Sequence, residues 1–209
     1  MERDRCGARP PASLVGTTVT TTAAPTGYHL LVPPGWRRFT ADLEGKKQLI
    51  ALASEKLKPL GRPDIDAEVR TMIEQQWSRL ASLRADGVYM PGDDEDLPVT
   101  PMTLAVLRQV ARPGTTFADR VQELARTAPT PIETPLGVVH RWETSERSTG
   151  ELEGSSARIV GYGIPVPGER PDRGAVLLVS IPYPNDADRE IVDALVELAD
   201  TIAETFRWR

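Results

Sequence analysis

Few side chains in this sequence are spaced as a reaction would need them. The two histidines, His29 and His140, lie in separate segments of β-type patterning with no companion ligands close in sequence. Both read as satisfied sheet histidines and not as metal ligands, although metal ligation is the commonest special use of the imidazole. Cys6 is the one cysteine and sits in a Pro-rich leader segment without the electropositive setting that makes a thiolate. A single cysteine also excludes an internal disulfide and a cysteine-built zinc cluster. Ser180 follows an apolar run, but Ile181-Pro182-Tyr183-Pro184 cannot open the helix that a nucleophile elbow requires. Gly161-Tyr162-Gly163 resembles the start of a dinucleotide fingerprint, yet the third glycine is missing and Pro165 and Pro167 forbid the phosphate-binding helix. Gly45-Lys46-Lys47 lacks the spacing of a phosphate loop. The run Asp93-Asp94-Glu95-Asp96 lacks the alternating ligands, central glycine and terminal glutamate of a calcium loop. It reads as a solvated acidic loop and a candidate contact for a basic partner. No metal site and no cofactor is expected.

Two further groups remain. Glu133, Arg141, Glu143 and Arg158 fall on a predicted hairpin and are the candidates for carboxylate and arginine chemistry, or for holding a small ligand. Such a site requires a deep pocket with converging polar groups. Trp77, Trp142 and Trp208 suit core positions. Trp142 stands between Arg141 and Glu143 where its strand turns charged, so it is also a candidate contact residue, tryptophan and arginine being favoured at interface hot spots.

The elements that must position these residues follow from periodicity. Residues 1–26 have few large apolar side chains and no helical period, which predicts a disordered tail, with a β-prone stretch at Thr17–Thr22. Residues 28–33 alternate as a strand that stops at Pro33-Pro34-Gly35. Helices are predicted over 43–58, from a cap at Asp64 to about Arg84, and over 115–128 behind Thr115 or Thr116. Strands are predicted at 87–91, 101–111, 130–145 and 156–166, the last two forming a hairpin around the polar loop Glu146–Ser155. The stretch 174–183 is apolar at successive positions, the mark of a central strand covered on both faces. In the last helix Asp186, Asp188 and Glu190 suit the positive end of the macrodipole. Ile191, Leu195, Leu198, Ile202 and Phe206 are predicted as its buried stripe, with Asp193, Glu197, Asp200 and Glu204 turned away.

Composition narrows the class. The chain has 209 residues, enough to remove about 70% of its unfolded surface from water. Its net charge is −5 and its pI near 5.2, which disfavours a nucleic-acid partner. Only four of its 25 basic residues are lysines, the bias of a GC-rich bacterial genome. No stretch approaches the ~20 apolar residues of a membrane span, and the N-terminus lacks the apolar core of a secretory signal, so a cytoplasmic location is expected. Hairpin-linked strands around a doubly apolar central strand require helices on both sides. The predicted fold is a three-layer α/β/α sandwich around a mainly antiparallel sheet of about six strands, occupying 27–209 as one domain.

The stretch V-P-P-G-W (Val32 to Trp36) and the closing T-F-R-W (Thr205 to Trp208) together resemble the Mog1/PsbP-like superfamily. Its members open with a strand running into a Pro-Gly-Trp turn and close with a helix ending in a nearby Phe and Trp. The resemblance covers residues 28–39 and 202–208 closely and the element order of 28–208 broadly. It implies an α/β/α sandwich, with Pro34, Gly35, Trp36, Phe206 and Trp208 as structural motif residues and Pro33-Pro34-Gly35 turning the chain off the sheet edge. The two helices over 43–85 depart from the pattern of familiar members. Those members are mostly binding and assembly factors, some of them tied to bacterial envelopes or secretion, and no catalytic residue carries over. The expected function is a non-enzymatic binding or adaptor protein with a protein partner. The alternatives are a small-ligand binder or enzyme using the hairpin charges, and an oligomeric structural protein joined through its long helices.

Overall fold

The computed structural model describes residues 25–92, 100–148 and 154–209. The expected tail lies largely outside these residues, as does the acidic run 93–96. The first described residues are held by the last: the backbone N–H groups of Thr26 and Gly27 both donate to the Arg209 carbonyl, at 2.9 and 3.2 Å.

In chain order the elements are β1 (Tyr28–His29), β2 (Trp36–Thr40), α1 (Leu43–Leu57), α2 (Pro63–Ser82), β3 (Ala85–Pro91), β4 (Thr103–Val110), α3 (Phe117–Ala125), β5 (Thr130–Thr134), β6 (Gly137–Arg147), β7 (Ser155–Pro165), β8 (Arg173–Pro184), α4 (Arg189–Glu204) and β9 (Arg207–Trp208). Seven strands form one sheet in the order β2-β3-β4-β8-β7-β6-β5. Every neighbouring pair is antiparallel. β8 is the central strand, and its alternate side chains enter different cores. Leu177, Val179 and Ile181 join α4 on one face, and Val176 joins α1, α2 and α3 on the other. The α/β/α layering and the antiparallel sheet are as the sequence predicts.

Four local expectations need correction. First, the strand count is higher because residues 130–145 are two strands, folded at Pro135-Leu136 with Gly137 at φ 98°. Second, the predicted strand 28–33 contributes only Tyr28 and His29, which pair with Trp208 and Arg207 in a separate two-stranded ladder. The Pro33-Pro34-Gly35 turn, with Gly35 at φ 76°, therefore leads the chain onto the sheet edge and not off it, since Trp36 opens edge strand β2. Third, Asp64 does not cap α2. Arg62 is the cap residue, Pro63 occupies the first turn, and Asp64 receives the Arg62 guanidinium at 2.6 Å. Fourth, the buried face of α4 is broader than the predicted stripe: Ile202 and Phe206 are buried and Leu195 and Leu198 pack against the core as expected, but Ile191 does not. Ile191 is 62% exposed, and the buried residues are Val192, Val196, Ala199, Ile202 and Ala203.

Both sheet edges are blunted against pairing with other chains. β2 exposes Arg37 and Arg38, and β5 carries Pro131. Gly161 and Gly163 have a packing role. A Cβ at 161 would collide with the Trp142 indole, and one at 163 with the Val121 methyls of α3. The apparent fingerprint glycines are thus the floor on which Trp142 and α3 rest. Replacing Gly161 with Ala should destabilise the protein by about 1–3 kcal/mol through overpacking. Urea unfolding would check this, and an unchanged midpoint would contradict the packing account.

Candidate functional site

The hairpin charges come together on the face beneath α4. Register places Arg141 opposite Tyr162 and Glu143 opposite Val160, so these side chains alternate with Trp142 and Gly161 on the other face. Arg141 grips Asp200 of α4 with two bonds, Nε to Oδ1 at 2.7 Å and Nη2 to Oδ2 at 3.2 Å. The Tyr162 hydroxyl donates to the same Oδ1 at 2.7 Å. Arg141 Nη2 also reaches Glu143 at 3.2 Å, and Arg158 Nη1 bonds the other Glu143 oxygen. Asp193 of α4 lies 3.9 Å from Arg158. The Asp200 bond holds the Arg141 guanidinium still more firmly protonated, and burial pushes the Tyr162 phenol up. Among the hairpin candidates Arg141, Glu143 and Arg158 are therefore joined, while Glu133 stands apart on β5 opposite Val138. Asp200, expected to face away from the core stripe, is the residue that closes the network. Its partners neutralise one another, which suits a clamp between α4 and the hairpin.

A groove of about 760 Å³ opens at the end of the sheet. The β5–β6 turn contributes Leu136 and Val138, the 165–171 loop contributes Val166 and three prolines, and β9 contributes Trp208. The first residues of α3, Thr116 to Ala118, form another wall, and His140, Glu169, Arg170 and Arg207 add polar groups. Several of these walls are fixed. The Trp208 indole N–H donates to the Pro165 carbonyl at 2.8 Å. The Phe206 ring stacks on Tyr28 at 5.5 Å and meets Trp208 edge-on at 4.9 Å. Thr116 and Asp119 form a reciprocal capping box at the start of α3. Arg207 Nη1 donates to the Glu204 and Phe206 carbonyls at the end of α4. The sequence offers one signal for this groove, the cluster of Pro165, Pro167 and Pro171 beside an aromatic C-terminus.

The other predicted residues fall elsewhere. Trp142 is 5% exposed and packs in the core beneath α3. Pro34 and Gly35 make the turn before β2, Trp36 is half-buried beside the α4-side core, and Phe206 is fully buried within it. Asp93, Asp94, Glu95, Asp96 and Cys6 lie outside the described residues. Among the described residues no three His, Cys, Asp or Glu side chains are grouped as a metal ion would require, and no helix is long and apolar enough to cross a membrane.

No family model and no curated protein matches the sequence. Among solved structures, the crystal structure of LpqN, involved in cell envelope biogenesis of Mycobacterium tuberculosis, aligns with a TM-score of 0.43 at 12% identity, over 90% of this chain and 87% of that one. A likeness at that level transfers no residue role.

Two predictions follow from this geometry. Asp200→Ala strands the Arg141 guanidinium and the Tyr162 hydroxyl and should cost about 2 kcal/mol, with Asp200→Asn costing less; equal stability of all three proteins in urea would contradict the clamp. Burial lowers the His140 pKa below its ordinary value. The unfolded chain therefore binds a proton first as pH falls below about 6.5, and stability is lost from there down to the folded pKa. His140→Gln should flatten that part of the stability–pH curve, measured by thermal unfolding; an unaltered slope would contradict it.

Proposed function

We propose that this is a non-catalytic binding or assembly protein of the Mog1/PsbP-like type, whose groove receives an extended segment of a protein partner. The observation that carries the reading is the groove itself, lined by apolar Leu136, Val138, Val166 and Trp208 together with polar His140, Glu169, Arg170 and Arg207. A lining that joins apolar and aromatic surface to a few charged groups suits a protein contact. Its proline walls and hydrogen-bonded indole are ordered before any partner arrives, so little entropy is lost on docking. The lining charges favour one chemistry for the segment. Arg170 and Arg207 outweigh Glu169, the one acid among the lining residues. The partner segment accordingly places an apolar anchor in the groove and an acidic residue beside it.

The alternative use of the hairpin charges is less well supported, because Arg141, Glu143 and Arg158 are already engaged with one another and with α4. A cytoplasmic protein serving a bacterial envelope or secretion system belongs to the same proposal and rests on the superfamily resemblance, not on the groove.

A photo-crosslinking amino acid at Val166 tests this in cells of the source organism, with the same group at exposed Leu60 as control. A discrete protein adduct from position 166 alone is expected. The purified partner segment should bind the wild type and lose at least ~10-fold affinity with Leu136→Asp, as burying an unpaired charge requires. No adduct at 166, or the same adducts at both positions, would overturn the reading.

A further inference from the structure

A second concavity, of about 250 Å³, lies on the α1–α3 side of the sheet where α2 ends. Ser82, Leu83 and Arg84 line it from the end of α2, Gln109 and Val110 from β4, Arg112 from the loop that follows, and Arg120 from α3. We propose that this pocket binds a phosphate-type oxyanion, a role separate from that of the groove.

The charge balance is the first argument. Three arginines line this space on a chain of net charge −5. The one acid paired with them is Glu123, which takes Arg120 at 2.9 Å and Arg112 at 3.4 Å. The pocket keeps an excess of positive charge. Arginines gathered around a small space without matching acids repel one another, and an anion relieves that repulsion.

Positioning is the second argument. Gln109 is 3% exposed and is one of few buried polar side chains in the described fold. Its amide N–H donates to the Leu83 carbonyl at 2.6 Å. Its Oε1 accepts from both Arg120 Nε and Nη2, at 3.0 and 2.9 Å. A neutral residue thus orients the guanidinium without cancelling its charge. With Nη1 on Glu123, three of the five N–H donors of Arg120 are used, leaving two for a ligand. Arg84 makes no side-chain hydrogen bond or ion pair among the described residues. Arg112 is 75% exposed and holds only the longer contact to Glu123.

Pocket size and donor number define the ligand class. A carboxylate offers two oxygens and is satisfied by one guanidinium fork, whereas a tetrahedral phosphate presents oxygens to several forks together. The space suits the phosphate group, with any remainder of the molecule reaching into solvent.

The backbone provides an unusually clean test. Arg84 has φ 57°, the left-handed conformation that glycine adopts most readily at a helix end. Arg84→Gly therefore removes the guanidinium while relieving backbone strain. Arg126 ends α3 with the same φ of 57° but does not line the pocket, which makes Arg126→Gly the matched control. Calorimetry on the full chain would use inorganic phosphate and glycerol phosphate as probes, at ionic strength held constant with sodium chloride. Saturable binding of at least one probe is expected. Arg84→Gly should melt no lower than wild type yet bind about ten- to a hundred-fold more weakly, as should exposed Arg112→Gln, whereas Arg126→Gly binds like wild type. Preference for glycerol phosphate would mark a phosphorylated molecule as the ligand, and equal binding would mark the free ion. Absence of saturable binding, unchanged affinity in both Arg84→Gly and Arg112→Gln, or an equal loss in Arg126→Gly would overturn the proposal.

Discussion

The two-residue ladder between β1 and β9 joins the start of the described chain to its end, and much of the molecule's functional shape depends on it. Tyr28 pairs with Trp208 and His29 with Arg207, the two ends of the described chain. The ladder is short, and its strength comes from the side chains it aligns. Tyr28 covers one face of Phe206, and Trp208 meets the same ring edge-on. Phe206 is wholly buried, so the ladder is anchored in the core and not merely on the surface. Aromatic pairs of this geometry contribute about 0.5–1.5 kcal/mol each beyond the area they bury. The Tyr28 hydroxyl donates to Asp86, which also receives Arg38 and Arg108. The ladder is thereby tied to β2, β3 and β4 as well as to α4. Trp208 emerges from this arrangement with its indole directed to the Pro165 carbonyl, where it forms a wall of the groove.

The two faces of the sheet solve different problems. On one face α4 packs on β7 and β8 with Ala199 and Ala203 buried against them, and Asp200 clamps it through Arg141 and Tyr162. Charged hydrogen bonds at a partly exposed boundary contribute more to register than to net stability. The other face carries three helices with different degrees of burial. α3 sinks Phe117, Val121 and Ala125 into the core, while α2 buries Trp77 alone, whose indole N–H donates to the Asp42 carbonyl at 2.8 Å. The arginine pocket forms where these helices meet β4. The groove forms where α3 and the C-terminus approach the turns of the sheet.

The layering was legible in the sequence because it rests on strong signals. A strand such as β8, apolar at successive positions, has no stable placement except between two helical layers. The proline-glycine turn before Trp36 and the Phe-Trp pair at the end were also visible, although their partnership across the whole chain was not. The illegible parts share a physical cause. In α4 the stripe through Leu195, Leu198 and Ile202 was visible, but the small residues Ala199 and Ala203 carry little weight in any count of apolar size, so the buried face they widen, and Asp200 at its border, went unseen. In 130–145 the alternation runs through Pro135 without interruption, so the turn that creates β5 was obscured. The groove and the arginine pocket join residues distant in sequence, and no local pattern records such a meeting.

The terminal ladder, through Phe206, holds Trp208 in place and so shapes the groove. The most direct measurement is hydrogen exchange followed by NMR at the Trp208 indole N–H, in wild type and in Tyr28→Ala. The indole should be protected in wild type, and in Tyr28→Ala exchange should be faster there and through residues 165–171 while the β4–β8 amides stay protected. An indole that exchanges at the free rate in wild type, or one equally protected in both proteins, would contradict this role of the ladder.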